Sequence, residues 1–229
     1  MKPSLSEVQP DLSLQNLGRA SAQIVHDLKN QLNGLKLYAT FLRKRLEKSE
    51  RPIDELETVN KLLLGLDRTA ADLSLIAQFG QPVDVKKQGG IDLQKLMQTV
   101  AAGLNENPRA SGALTGPVVV DTDSVPLIGD FDAVVLSDAL KAISLSAMKL
   151  LGAKQRDVPL HVGLKLHAAP TPTAVIEWRG FQEFDHDPFR SFIGADEIRL
   201  SLAARTIEAH SGSAEKINGV LRVSLPLGQ

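Results

Sequence analysis

An imidazole becomes a nucleophile when an acceptor holds one ring nitrogen and the other keeps a free lone pair. The segment Val25-His26-Asp27-Leu28-Lys29-Asn30-Gln31-Leu32 has the parts for that arrangement. Asp27 follows His26 directly. About one helical turn on stand Lys29, a cation that can meet phosphoryl oxygens, and Asn30, an amide that can bond such an oxygen or orient a water. At roughly 100° per residue, His26 lies about 200° from both Ile24 and Leu28, so it faces away from the apolar stripe and into water. A lone helical histidine is ordinarily a surface or satisfied core residue. Its exposure and its three polar neighbours instead make His26, Asp27 and Asn30 the candidate catalytic residues. His161, His167, His186 and His210 share no ligand spacing, so no metal site is expected.

The elements that position this segment are helical. Leu12 to Glu50 contains no proline, and Leu14, Leu17, Ser21, Ile24, Leu28, Leu32, Leu35, Ala39, Leu42 and Leu46 recur at three and four. Arg51-Pro52 ends that pattern and sets up the next helix start. A second pattern runs through Ile53, Leu56, Val59, Leu62, Leu63, Leu66, Ala70, Leu73, Ile76 and Phe79 to Gly80 and Pro82. The reading is an all-α antiparallel hairpin over 1–82, each helix about 40–55 Å long. One hairpin leaves its stripe uncovered, so a second copy is expected to complete a dimeric four-helix bundle.

Residues 83–229 read as an α+β sandwich, with helices on one face of a mixed sheet. After the linker GQPVDVKKQGG come a helix Leu93–Leu104, a strand Val118–Asp121 and a helix Asp132–Leu151. Alternating strands Leu160–Ala168 and Thr173–Trp178 follow, then a helix Glu197–His210 and a strand Val220–Pro226. Gly89-Gly90 reads as a hinge, since no strand precedes it and no Lys-Ser or Lys-Thr follows. Asp185-His186-Asp187 reads as a polar loop, and Trp178 as core.

Composition narrows the classes. With 43% hydrophobic residues among 229 the chain is not disordered, and with no cysteine it has no disulfide framework, thiol chemistry or thiolate metal site. A net charge of −1 gives no case for nucleic acid. No apolar run approaches a membrane span, and MKPSLSEVQP has no signal-peptide pattern, so a soluble cytoplasmic protein is expected. The near-neutral total hides an asymmetry. Residues 19–51 carry eight basic side chains, among them Arg19, Lys29 and Lys36, against Asp27, Glu47 and Glu50, a balance of +5. Such a helix would steer an acidic partner pocket towards it. The basic cluster at its end, Arg43, Lys44, Arg45 and Lys48, suits a helix C-terminus equally well.

HDLKNQLNGL, placed mid-helix in a two-helix hairpin, resembles the phospho-accepting box of the dimerisation and phosphotransfer domain of two-component histidine kinases. The family pattern is His, Asp or Glu, two residues, then Asn or Thr, and His26, Asp27 and Asn30 match it. Where members often carry proline after the Asn or Thr, this chain has Gln31. The resemblance covers residues 12–80 and extends over 91–229, where the order of elements is similar to the family's ATP-binding domain, including the closing helix, histidine and final strands.

The nucleotide boxes depart from that pattern. Ser146 stands where the family's Mg²⁺-ligating Asn is expected. Arg179-Gly180-Phe181-Gln182 replaces an Asp followed by glycines, and Asp196-Glu197-Ile198-Arg199 replaces a glycine-rich lid. The resemblance therefore implies a degenerate ATPase-like domain retained as a docking platform, in a dimeric histidine phosphotransferase rather than an ATP-dependent kinase. Its reaction would pass a phosphoryl group between receiver-domain aspartates through His26, with Arg19, Lys29, Asn33 and Lys36 meeting the partner. That partner is a response-regulator receiver, or the receiver of a hybrid histidine kinase, and supplies the only Mg²⁺; no cofactor is expected on this chain. A response-regulator phosphatase and a non-catalytic dimeric scaffold remain open alternatives.

Overall fold

A computed structural model describes residues 5–47, 53–106, 116–123, 125–151, 158–168, 170–180, 186–191 and 194–228, without the side chains of 5–24 and 53–54. The chain divides into two compact units, Met1–Pro82 and Val83–Gln229.

The first unit is a pair of helices, α1 (Leu5–Glu47) and α2 (Ile53–Phe79). The turn read at Arg51-Pro52 lies outside the described residues. At 43 residues α1 runs about 65 Å, longer than its sequence pattern suggested, because it starts at Leu5 and passes through Pro10. A proline in the second turn forfeits one backbone bond close to an end where several amides lack partners anyway. The helix continues without a break through Asn30-Gln31.

The apolar stripe of α1 does not bury as a whole. Ala39 packs against Val59 and Leu63 of α2, with Leu46 and Leu66 at the margin, and Val25 is buried as well. Leu28, Leu35 and Leu42 stay exposed, as do Leu62 and Ile76 on α2. The three on α1 recur every seven residues, and the two on α2 lie two heptads apart. The stripe is wider than one partner helix can cover, and the remainder has the spacing of a second coiled-coil seam.

The second unit holds a two-stranded sheet, β1 (Gln88–Asp92) with β3 (Ile128–Phe131), and a five-stranded sheet in the order β2-β4-β5-β7-β6. The remaining strands are β2 (Val118–Thr122), β4 (Leu160–His167), β5 (Thr173–Arg179), β6 (Ser213–Ile217) and β7 (Val220–Pro226). β2 runs parallel to β4, and the other pairings are antiparallel, so the sheet is mixed. Its helices are α3 (Leu93–Glu106), α4 (Ala133–Leu150) and α5 (Ala195–Ala209).

Alternation puts Leu160, Val162, Leu164, Ala174, Ile176, Trp178, Leu221, Val223 and Leu225 on one face. There they form one core with Leu93, Met97, Leu140, Ile143, Ala147, Leu200 and Ile207 of the helices. Trp178 is fully buried, and its indole N–H donates to Ser144 Oγ at 2.9 Å, which donates in turn to the Leu140 carbonyl at 2.8 Å. Trp178 is core, as its sequence position suggested.

Three strands escaped the sequence reading. Gly89-Gly90 is no hinge but part of β1, where the pairing slips between Gln88 and Ile91 and Gly90 takes φ +79°. Glycine there supplies the left-handed residue that a bulge needs, and glycine is read from sequence as a breaker. β3 is only four residues with a glycine inside. β6 joins β7 through Asn218-Gly219 at φ +49° and +72°, the two-residue turn that matches strand twist. That Asn-Gly pair was the available signal.

Candidate functional site

His26 sits mid-way along α1 with its side chain 64% exposed, and Asp27 beside it is 60% exposed. Residues at three, four and seven along a helix share a face, so Lys29, Asn30 and Asn33 lie with His26, and all are exposed. Lys36, a further turn on, pairs with Asp67 of α2 and so also ties the two helices together. Arg19 lies on the same helix, and its side chain is outside the described residues. Leu37, Tyr38 and Phe41 continue beyond Asn33 as exposed large apolar side chains, Tyr38 at 72%. Sequence reasoning passed over them because each is also an ordinary helix residue. Large apolar groups at polar positions of the amphipathic pattern were the signal.

Both contacts of the imidazole fall on one nitrogen. Asp27 Oδ1 and Asn30 Nδ2 each lie 3.4 Å from His26 Nδ1, and Nε2 has no hydrogen-bond partner among the described residues. A carboxylate only accepts, so the Asp27 contact requires a proton on Nδ1 and leaves the Nε2 lone pair pointing to solvent. An amide nitrogen only donates, so the Asn30 contact requires a bare Nδ1 and moves the proton to Nε2. The two contacts therefore exclude each other on neutral imidazole: one makes Nε2 a nucleophile, the other makes it a donor. Lys29 brings a cation to the same face at no cost in burial.

In the second unit, Ser146 and the Asp196–Arg199 stretch meet at a cavity of about 310 Å³ between α4 and α5. Lys141 and Lys149 of α4 and Arg199 of α5 line it, together with the carboxylates of Asp138 and Asp196. Asp196 Oδ1 accepts from Lys149 Nζ at 2.6 Å and from Arg199 Nη1 at 2.9 Å. Burial pushes the Asp196 carboxyl up, but these two cations outweigh it and hold the group below its ordinary value. Two carboxylates, one already bound to the cations, are a poor fit to a metal-bound triphosphate. The third departing segment begins at Arg179, whose guanidinium pairs with Glu177 on the sheet face away from the helices; Phe181 and Gln182 lie outside the described residues. No cluster of three metal-ligating side chains occurs among the described residues.

Neither a protein-family model nor a curated protein matches the sequence. Solved structures do. The chain is similar to ShkA full-length in complex with AMPPNP, with a TM-score of 0.64 at 15% identity over 92% of this chain and 46% of that one. It thus spans about half of that protein's length. The Acinetobacter baumannii histidine kinase AdeS matches with a TM-score of 0.50 at 16% identity, over 89% of this chain and 98% of that one. The fold is histidine-kinase-like. At these identities the likeness is one of fold.

The histidine the sequence ranked low turns out to organise that fold. His210, 1% exposed at the end of α5, has Nδ1 2.8 Å from the Thr206 carbonyl, while Nε2 accepts from the Asp132 N–H at 3.0 Å. Both nitrogens are committed, which fixes the tautomer and removes His210 from any reaction. Asp132 in turn caps α4, accepting from the amides of Val134 and Val135, and also accepts from the Lys86 amide at 2.9 Å. Chiefly the Lys86 and Val135 amides hold its carboxyl below the ordinary value. No described helix is long and apolar enough to cross a membrane.

Proposed function

We propose that the protein is a histidine phosphotransfer protein of a two-component phosphorelay, passing a phosphoryl group between receiver-domain aspartates through His26 without binding ATP. The observation that carries this reading is the open Nε2 of His26 with Asp27 on Nδ1. In the Asp27-bound tautomer, Nε2 attacks the phosphorus of the donor's aspartyl phosphate in line. The P–N bond forms as the P–O bond to the donor carboxylate breaks, and the Nδ1 proton stays on Asp27's side. Transfer to the second receiver is the reverse step on a new carboxylate. Lys29 supplies positive charge beside the phosphoryl oxygens, and the receiver supplies its own Mg²⁺ and acidic pocket.

The receiver would rest on Lys29, Asn33 and the exposed Leu37, Tyr38 and Phe41. Two copies joined through Leu28, Leu35, Leu42, Leu62 and Ile76 would complete a four-helix bundle, since the hairpin alone buries only a small core. The carboxylates at the α4–α5 cavity support a domain retained for docking.

The Asn30 contact supports a second reading, a receiver phosphatase in which Asn30 orients the attacking water and His26 assists. One experiment separates the two. The protein is incubated with a phosphorylated receiver, and acid-labile label is followed on both partners. Label on wild type that is absent from His26→Ala is the expected result. Loss of receiver label with none on this chain selects the phosphatase, and no change in either leaves a binding scaffold. Light scattering is expected to give twice the chain mass; a monomer refutes the bundle.

A further inference from the structure

We propose that Lys86–Gly90 is a strap whose latch, the Asp132 carboxylate, sets how much free chain joins the two units. The hairpin's last backbone bonds come from the Gly80 and Gln81 amides, which donate to the Ile76 and Gln78 carbonyls at 3.3 and 3.1 Å. The first bond to the sandwich is the Lys86 amide on Asp132 Oδ2 at 2.9 Å. Pro82–Val85 lie between these two anchors and make no hydrogen bond among the described residues. Asp132 divides its carboxylate: Oδ1 accepts from the Val134 and Val135 amides of α4, and Oδ2 is left for the strap. Its own N–H donates to His210 Nε2 at the end of α5, so the latch is fastened to both helices.

The strap itself is weakly rooted. Beyond Lys86 the ladder with β3 holds the single pair Gln88–Phe131 before the register slips, and pairing resumes at Ile91–Gly129. Lys87 adds one long surface contact, its Nζ lying 3.4 Å from Ser211 Oγ. Gly89 and Gly90 form the slip, Gly90 at φ +79°, and glycine gives the backbone freedom to turn away there. One pair beyond a bulge opens at low free energy, so with the latch released the strand peels back to Ile91. Free chain then runs from Pro82 to Gly90 instead of to Val85, which is 90 − 85 = 5 residues more and about 17 Å of added reach.

Asp132→Ser tests the latch, because a serine hydroxyl still caps α4 but leaves the Lys86 amide without its carboxylate. Lys86→Pro removes the donor from the other side and leaves the cap in place. Hydrogen exchange at the Lys86 amide is expected to speed up about 10- to 100-fold in Asp132→Ser, while the Val162 and Ile176 amides of the sheet change by less than about threefold. Tryptic cleavage after Lys87, read by mass spectrometry as fragments 1–87 and 88–229, is expected to speed up about tenfold in both variants. The chain has no cysteine, so spin labels on Glu57→Cys and Glu208→Cys report one site in each unit without background. Diluted into unlabelled protein, that pair is expected to give a broader distance distribution in both variants. Unchanged Lys86 exchange in Asp132→Ser, unchanged cleavage in Lys86→Pro, or an unchanged distance width each overturns the proposal. A loss of protection shared equally by Val162 and Ile176 is global unfolding and overturns it as well. None of these readouts depends on His26.

Discussion

The hairpin and the sandwich each hold a histidine at a decisive place, and they treat it in opposite ways. In the hairpin, His26 stands in water with two weak contacts on one nitrogen and the other nitrogen open. In the sandwich, His210 is buried with both nitrogens bonded to backbone. The same contrast runs through the packing. The sandwich closes its core around Trp178, while the hairpin leaves a seam of leucines uncovered. The hairpin keeps one imidazole nitrogen and part of its apolar surface open to solvent. The sandwich encloses both its central histidine and its apolar face.

Losing each histidine is expected to have opposite consequences. His26→Gln is expected to abolish acid-labile label, a loss of at least about 10³-fold in transfer rate because no nucleophile remains. Its thermal midpoint should match wild type. His210→Leu is expected to do the reverse. It leaves the Asp132 amide without its partner and takes one of two donors from the Thr206 carbonyl, costing about 2 kcal/mol in urea unfolding followed by Trp178 fluorescence. Label acceptance by the folded fraction should persist. If His210→Leu lost transfer without losing stability, the division of labour would be wrong.

Acid should act on the sandwich next. Burial pushes the carboxyl of Glu177 up, but the guanidiniums of Arg179 and Arg222 outweigh it, and its value is lowered on folding. Asp196 and Asp132 are lowered as well. A lowered carboxyl contributes stability that is present above its unfolded value and lost as pH falls through the folded one. Unfolding free energy is therefore expected to decline below about pH 4. The decline should be shallower in Glu177→Gln, measured by urea titrations across pH. The smallest effect belongs to the hairpin surface. Lys36→Met removes the pair with Asp67, both about half exposed, and is expected to cost under about 0.5 kcal/mol. It should slow receiver encounter at low salt more than it lowers stability.

Much of this was legible in residue order. The two helical stripes, the alternation in β4, β5 and β7, and the helix α4 follow from period, because burial on one face forces a repeat of 3.6 or 2, while α5 was marked by its stop at Ser211-Gly212. The exposure of His26 followed from the same angle arithmetic. β1, β3 and β6 did not, since a four- or five-residue strand with glycine inside carries too few alternations to outweigh a loop. Ser146 and Asp196 were each marked as departures, but fifty residues separate them, and nothing in the sequence brings them to one cavity.

By itself, the sequence determined which side chains lie together on one helix: His26, Asp27, Lys29, Asn30 and Asn33 share their neighbourhood because 100° per residue is a property of the backbone. It also determined that the chain changes texture near residue 82. Only the tertiary structure decided what is joined across elements. Lys149 meets Asp196, His210 reaches the cap of α4, and Leu35 stays exposed while Ala39 is buried. Those outcomes depend on which faces pack and how closely, and a linear period says that a face is apolar without saying how much of it a neighbour will cover.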